Sequence, residues 1–434
     1  MNEDQIDEFE DNDVNDDVDE DGFSDNEEEE EVVEEEVEEP APKRKKTIIK
    51  ENKIRTSEYS NQELTKEQAE AAKLLQDDLT SFLESSLKIK PNDDIVSTIP
   101  TGIDVLDAIL GGGVGTKLIQ FIGVPGAGKS ALAGKVMATA QKKWPGKFLG
   151  VYIDTEQSMT TERLMQLGVK NPPIKPYNGD ITVETVFKVI ERVCAHKDRI
   201  SEEDPSILDI PSLIIWDSVA NTMTDKGMDV DEYKSVLGQR AALLAHYLPK
   251  YVSKLDGYNI CLLAINQLRD KIQMGRTPEA PNMKFLPDKN IPGGNSLLFN
   301  SYQIFNFRQF GSPLTSEDYG FDGVRVRGQG VKNKLFTPNI KIEMVFSFEH
   351  GFSNFWTNYE LLKKFKRITV GGGWVKLQSY PKEKRFRQKQ VLEVYKEDEE
   401  FRECWNNEID ELIRTEYIEK YKNLEEMKSD DKEN

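Results

Sequence analysis

Between residues 118 and 143 the chain passes from an apolar run through a glycine-rich turn into a helical stretch. The run is Leu118-Ile119-Gln120-Phe121-Ile122, and the turn is Gly123-Val124-Pro125-Gly126-Ala127-Gly128-Lys129-Ser130. A helix is expected over Ala131 to Lys143. This order constrains the fold. A buried strand feeding straight into a helix belongs to sheets with helices on both faces. The turn fits G-x-x-x-x-G-K-[ST] at every fixed position. Glycines let successive backbone N–H groups point inward around an anion, and the helix N-terminus faces it. Gly123 through Ala131 are therefore expected to hold the phosphates of a nucleotide. Lys129 supplies a point charge for the β- and γ-phosphates, and the Ser130 hydroxyl is a ligand for Mg²⁺. A chance glycine-rich turn would lack the flanking strand and helix.

Charge is distributed unevenly. The formal charge of the 434 residues is −21, but residues 1–39 hold 23 Asp and Glu and no Lys or Arg. The difference between −21 and −23 leaves +2 for residues 40–434. A segment with two aromatic residues, Phe9 and Phe23, cannot bury a core and is expected to be disordered. It reads as a solubilising tail or as a nucleic-acid mimic competing for a basic groove. Pro40 to Lys46 is a short basic linker, with a nuclear localisation signal as the alternative reading. Cys194, Cys261 and Cys404 are far apart, so neither a disulfide framework nor a zinc site is expected. The acidic opening predicts no secretory leader, and no apolar stretch nears the ~20 residues of a membrane span. The expectation is a soluble, cytoplasmic protein, in the host cytoplasm if phage-encoded.

Four regions are expected: an acidic tail and basic linker over 1–46, an N-terminal helical oligomerisation element over 60–92, an ATPase core over 93–350, and a C-terminal domain and tail over 351–434. Leu64, Ala69, Ala72, Leu75, Leu79 and Phe82 have helical spacing within Gln62 to Leu87. In the core, strands are expected over Lys147–Asp154, Ser212–Asp217, Asn259–Asn266, Tyr302–Phe307 and Ile340–Phe348. Helices are expected over Thr161–Leu167, Val183–His196 and Val236–Leu255. The alternation predicts an α/β fold, a mostly parallel sheet covered on both faces, with a small α/β domain at the C-terminus.

Three of these strands end in polar residues. Leu213-Ile214-Ile215-Trp216-Asp217 ends in a carboxylate suited to the Mg²⁺ water shell. Asp154-Thr155-Glu156 follows another strand, and Glu156 is placed to position and deprotonate an attacking water. Leu262-Leu263-Ala264-Ile265-Asn266-Gln267 ends in amides, and Gln267 can hydrogen-bond a γ-phosphate without adding charge. The segment after it, to Pro292, carries Arg269, Lys271, Arg276, Lys284 and Lys289, with Met274 and Phe285 interleaved. Cations with apolar wedges suit single-stranded DNA, whose backbone is neutralised and whose bases are stacked or separated.

With these motifs the chain resembles the RecA-family recombinases of bacterial and phage type, over about residues 60–380. Ile153-Asp154-Thr155-Glu156 is similar to the family's I-D-A-E, whose glutamate is the catalytic base. Trp216-Asp217-Ser218-Val219-Ala220 is similar to V-D-S-V-A. Ile265-Asn266-Gln267-Leu268-Arg269 and Gly293-Gly294-Asn295 resemble the I-N-Q-I-R and G-G-N that bracket the second DNA loop. Val331-Lys332-Asn333-Lys334 matches V-K-N-K, whose lysines reach across a filament interface to the neighbouring subunit's γ-phosphate. The resemblance implies a RecA-like P-loop core and catalytic roles for Glu156, Lys129, Gln267, Lys332 and Lys334. It implies Ser130 and Asp217 at Mg²⁺, and Arg163 at the adenine where the bacterial pattern has tyrosine. Phe299 falls at an interface phenylalanine. DNA contacts are implied at Arg240, Arg269, Lys271, Arg276, Gly293, Gly294 and Asn295. The first DNA loop would span Asn221 to Leu237, in a sequence not close to the family's. The acidic N-terminus departs from the bacterial pattern. The cluster Lys382, Lys384, Arg385, Arg387 and Lys389 is only loosely similar to a duplex-DNA gateway.

The resemblance implies a DNA-dependent ATPase using ATP and Mg²⁺. It would polymerise on single-stranded DNA, pair it with double-stranded DNA, and work with mediator and single-strand-binding proteins. A hexameric helicase on the same fold and a non-catalytic recombinase accessory protein are the alternatives. The lysine pair and the Gly293-Gly294-Asn295 segment argue against the first, and intact Glu156 and Lys129 against the second.

Overall fold

A computed structural model describes residues 66, 70, 74, 96–171, 181–228, 238–268, 291–382 and 384–421. Residues 1–91 and 92–434 are separate units. In the first, Lys66, Glu70 and Leu74 are helical. The acidic tail, the linker, most of the expected 62–87 helix and residues 269–290 with Arg269, Lys271 and Arg276 lie outside the described residues, as do 229–237 of the first loop.

The elements of the second unit begin, in chain order, with α1 (Asp104–Leu110), β1 (Leu118–Gly123) and α2 (Lys129–Lys143). Next come β2 (Leu149–Asp154), α3 (Thr161–Gln166), α4 (Val183–Ser201) and β3 (Ser212–Asp217). Then follow α5 (Gln239–Gly257), β4 (Ile260–Gln267), α6 (Gly294–Asn300), β5 (Gln303–Leu314) and β6 (Gly323–Asn333). The last are β7 (Lys341–Ser347), β8 (Gly351–Ser353), α7 (Asn354–Lys364) and α8 (Glu399–Ile413). The eight strands form one sheet in the order β8-β7-β6-β5-β1-β4-β3-β2. Strands β5, β1, β4, β3 and β2 are parallel to one another, and β6, β7 and β8 continue the sheet antiparallel.

Strands β3 and β4 read as nearly unbroken apolar runs, and β1 does so apart from Gln120, because both faces are covered. Side chains alternate between the two faces. Phe121, Ile215 and Ile265 join Leu132 and Val136 of α2 in one cluster, while Ile214, Trp216 and Leu262 join Val186, Phe187 and Leu248 of α4 and α5 in another. Helix α4 buries Val183, Val186, Phe187, Ile190, Cys194 and Lys197, a stripe at helical spacing, and starts where the Thr182 hydroxyl accepts from the Thr185 N–H.

The expected core strands are present, with β5 running on to Leu314. Strand β6 was not expected, since Gly-Val-Arg-Val-Arg-Gly-Gln-Gly-Val-Lys-Asn has no apolar run. Its glycines make room for rings on β5: a Cβ on Gly328 would sit 3.3 Å from Phe307, and one on Gly330 would sit 3.3 Å from Phe305. Beyond β8, α7 and α8 pack through Phe355 and Trp405, stacked at 4.9 Å, beside a small antiparallel sheet of Ile368–Gly371, Trp374–Leu377 and Phe386–Arg387. Trp356, Tyr359, Phe401 and Trp405 belong to the same apolar cluster as α2, so the C-terminal region shares its core with the phosphate-loop face.

Candidate functional site

A cavity of about 530 Å³ opens at the carboxyl ends of β1, β2, β3 and β4, the side of a parallel sheet where ligands bind. Its walls include Gly126, Gly128, Lys129 and Ser130 from the glycine-rich turn, Glu156 after β2, Asp217 of β3 and Gln267 of β4. Register explains the convergence. Asp154 pairs with Asp217, Asp217 with Ile265, and Gly123 with Gln267, so the strands end within two residues of one another.

The glycines of the turn answer real constraints. At Gly123 a Cβ would stand 2.3 Å from the carbonyl oxygen of Phe307 on the adjoining β5. Gly126 and Gly128 have φ of +74° and +81°, the left-handed region that favours glycine. Lys129 opens α2, is 6% exposed, and donates from Nζ to the carbonyls of Gly123 (3.0 Å) and Val124 (2.9 Å). Burial pushes its pKa down, and the charges of Asp217 and Glu156 pull it partly back.

Asp217 is 1% exposed. Burial pushes its carboxyl up to about 6, against hydrogen bonds from Ser130 and Tyr152 that favour the anion. The Tyr152 hydroxyl donates to Asp217 Oδ2 at 2.6 Å. A serine hydroxyl on an aspartate, beside an N-terminal helix turn whose lysine is folded over the loop, is a donor set that fits Mg²⁺ and a polyphosphate. Mg²⁺ takes few protein ligands and keeps waters and phosphate oxygens.

Glu156 is held from several sides. Asp154, also buried, accepts the Glu156 N–H at 3.1 Å and the Met159 N–H at 2.7 Å, which shapes the turn after β2. Burial raises the Asp154 carboxyl, opposed by these backbone bonds. The Glu156 Oε1 accepts from Ser218 Oγ and from Gln267 Nε2, each at 2.5 Å. Gln267 therefore touches the carboxylate directly. Just past it, the Leu268 N–H donates to the Gly123 carbonyl (3.1 Å), and Asn266 Nδ2 donates to the Pro292 carbonyl (2.7 Å). Both roots of segment 269–290 are thus tied to the phosphate loop and to β4.

The other expected residues are spread more widely. Arg163 lines the cavity, and its Nη1 and Nη2 donate to the carbonyls of Glu349 (2.7 Å) and Phe348 (3.0 Å). That fixes the guanidinium at the rim beside the exposed Phe348 ring. Arg240 Nη1 donates to the carbonyls of Val219, Ala220 and Thr222, a role in holding the turn after β3. Gly293 and Gly294 lead into α6 with positive φ and pack on Leu244 and Ala241 of α5, while Asn295 is exposed. Sequence reasoning missed Gln309, whose Nε2 donates to the Gly126 carbonyl at 2.7 Å, as well as Tyr152 and Ser218. Gln309 lies 183 residues from its partner and carried no local signal.

Lys332 and Lys334 lie away from this cavity. Lys332 pairs with Ile304, which pairs with Gln120 at the middle of β1, three residues before Gly123. At ~3.3 Å per residue they sit about 10 Å or more back along the sheet from the start of the phosphate loop, toward its opposite end. Lys332 Nζ caps α6 by donating to the carbonyls of Leu298 (3.0 Å) and Phe299 (2.8 Å), and Lys334 lies 5.5 Å from the Tyr302 ring centre. Burial and the neighbouring Lys334 charge push the Lys332 pKa down. Phe299 beside them is 54% exposed.

A family model described as the RecA N-terminal domain matches residues 81–353. Protein RecA of Aquifex aeolicus (strain VF5) is 27% identical over 284 residues, covering 64% of this chain and 74% of that protein. Protein RecA of Cytophaga hutchinsonii is 26% identical over 316 residues, covering 71% and 81%. Protein RecA of Wolbachia pipientis subsp. Culex pipiens is 29% identical over 270 residues, covering 62% and 68%.

Proposed function

Because the chain belongs to the RecA family of recombinases, we propose that it is a DNA-dependent ATPase that polymerises on single-stranded DNA and promotes homologous pairing and strand exchange. The observation that carries this reading is the split of the site. Lys129, Ser130, Glu156, Asp217 and Gln267 converge on one cavity, while Lys332 and Lys334 stand toward the other end of the sheet. A site divided in this way is completed by a second copy of the chain, joined head to tail as in an open helical filament.

The residues then have distinct tasks. Lys129 and the N–H groups of the turn hold the β- and γ-phosphates of ATP, and Arg163 with Phe348 flanks the base. Ser130 and Asp217 would hold Mg²⁺, which neutralises phosphate charge during phosphoryl transfer. Glu156 orients and deprotonates the attacking water. Lys332 and Lys334 of the adjoining copy stabilise charge on the transferring phosphoryl group, so hydrolysis depends on assembly. Gln267 exchanges its Glu156 partner for the γ-phosphate. That movement pulls directly on segment 269–290, whose Arg269, Lys271 and Arg276, with Gly293, Gly294 and Asn295 beside its root, would grip DNA phosphates. Homology is read by base pairing between strands, and affinity falls steeply with salt because the contacts are to phosphates.

The test is ATP hydrolysis with and without single-stranded DNA, followed by strand exchange between a circular single strand and a linear duplex. We expect DNA-stimulated turnover, lost in Lys129→Ala, and joint-molecule formation. Full DNA-stimulated turnover in Lys129→Ala would remove the site assignment. Closed rings in negative-stain images with a slowly hydrolysed ATP analogue would favour a helicase, and absence of DNA-dependent hydrolysis an accessory protein.

A further inference from the structure

The two donors on Glu156 Oε1 differ in stiffness. Gln267 is half-buried at the root of a long segment. Ser218 is fully buried, and its surroundings fix it from three directions. Its N–H donates to Thr155 Oγ1 (2.9 Å), and Thr155 Oγ1 donates back to the Ser218 carbonyl (2.9 Å). Thr222 Oγ1 adds a bond to the same carbonyl (2.8 Å) and itself accepts from the buried Trp216 Nε1 (2.7 Å). The Thr155 N–H donates to the Asp217 carbonyl (2.7 Å). The residues just before Glu156 and just after the β3 carboxylate are thus stapled into one rigid unit, with the Ser218 hydroxyl aimed at the Glu156 carboxylate.

We infer that Ser218 is a positioning residue for the hydrolytic base: its hydroxyl holds Glu156 Oε1 throughout the cycle, so that Oε2 meets the attacking water when Gln267 leaves. This rests on the reading of Glu156 as that base. With both donors present, one carboxylate oxygen is doubly occupied and the side chain cannot rotate. Once Gln267 turns to the γ-phosphate, Ser218 alone prevents the carboxylate from swinging about its terminal torsion, which is intrinsically broad. A hydrogen bond from a buried, preorganised hydroxyl to a charged group is strong enough to matter for rate. Ser218 touches neither the nucleotide nor the water in this scheme, so its loss should leave binding intact.

The experiment compares the parent chain, Ser218→Ala, Ser218→Thr, Glu156→Gln and the double variant Glu156→Gln/Ser218→Ala. Each is assayed for single-stranded-DNA-dependent ATP hydrolysis, for KM, and for affinity toward a fluorescent non-hydrolysable ATP analogue. We expect kcat to fall about ten- to hundred-fold in Ser218→Ala, with KM and analogue affinity within about twofold of the parent. We expect Ser218→Thr, which keeps the hydroxyl, to recover most of that loss. In the Glu156→Gln background, Ser218→Ala should lower the residual single-turnover rate no further, as expected for residues acting as a unit. Should the alanine variant not fold, Ser218→Cys, a weaker donor of similar size, takes its place in both backgrounds. A parent-like kcat in Ser218→Ala, or an equal fall with and without Glu156, would overturn the proposal while leaving Glu156 as the base. Parent-like hydrolysis in Glu156→Gln would overturn the base assignment itself, and the proposal with it.

Discussion

The proposed division of the nucleotide site between two copies of the chain can be tested by mixing defects. One variant, Glu156→Gln, keeps its phosphate loop and its lysines but lacks the proposed base. The other, Lys332→Ala/Lys334→Ala, keeps the loop and base but lacks the distant cations. Within one chain the lysines cannot serve their own site. Lys332 is level with Gln120 through Ile304, three residues short of Gly123, and the loop itself begins only there. That is a separation of about 10 Å along the sheet before the two intervening strand spacings of ~4.8 Å each are counted. Its ammonium is moreover turned onto the carbonyls of Leu298 and Phe299. Each variant alone should hydrolyse ATP slower by on the order of 10³-fold or more, the scale seen when a trans cation is removed from phosphoryl-transfer sites. In an equal mixture, a productive interface needs a base from the lysine variant and lysines from its Glu156→Gln neighbour. Random head-to-tail association produces that pairing at about a quarter of interfaces. The assay is steady-state phosphate release on single-stranded DNA at fixed total protein. Recovery to about a quarter of the parent rate supports the shared site. A mixture no more active than the sum of its components would refute it, because lysines acting within their own chain cannot complement.

Three further outcomes rest on local geometry. Gly123→Ala forces a Cβ to within 2.3 Å of the Phe307 carbonyl oxygen, where both strands are fixed by pairing; chemical denaturation should show a loss of about 1–3 kcal/mol, and an unchanged midpoint would contradict the close approach. Arg240→Ala removes the donor shared by the Val219, Ala220 and Thr222 carbonyls, so stability should fall by about 2 kcal/mol; parent-like stability with weakened DNA binding would instead assign Arg240 to DNA. Asp107, whose carboxylate accepts the Thr101 and Gly102 N–H groups, is pushed up to about 6 by burial. A raised carboxyl favours the folded state while protonated, so its contribution is full below about pH 4 and is lost as pH rises to 6. Relative to Asp107→Asn, the parent should lose about 2–3 kcal/mol between pH 4 and pH 7, and a flat difference would show that the carboxyl titrates normally.

Where local sequence and tertiary environment demand the same residues, the sequence was readable. Strands β1 and β3 are buried on both faces, so continuous apolar runs marked them to within a residue. The carboxyl ends of β3 and β4 were equally visible, because Asp217 and Gln267 close their apolar runs at the cavity; the buried Gln120 inside β1 instead finds partners in Leu297 and Ser301. Strand β6 was not legible, because its identity as a strand rests on rings from β5 lying over its glycines. The same distinction runs through the site. Lys129, Glu156 and Asp217 belong to short motifs whose spacing carries chemistry. Gln309, Tyr152 and Ser218 act on partners 183, 65 and 62 residues away, and single-chain spacing holds no trace of such contacts.

Under the proposed function, the hydrogen bonds at Gly123, Gln267 and Asn266 offer a route from nucleotide state to DNA binding. The Gly123 carbonyl accepts from two donors, Lys129 Nζ and the Leu268 N–H. Lys129 must leave that oxygen, at least in part, to engage a phosphate. In that reading Leu268 then keeps the Gly123 carbonyl to itself, while Gln267 turns from Glu156 to the γ-phosphate. Asn266, beside Gln267 on β4, holds the Pro292 carbonyl. On this geometry Asn266→Leu should uncouple the partners: nucleotide binding persists, because Asn266 does not line the cavity, but DNA no longer accelerates hydrolysis. Equal stimulation of the variant and parent by single-stranded DNA would show that the anchored root is not needed for coupling.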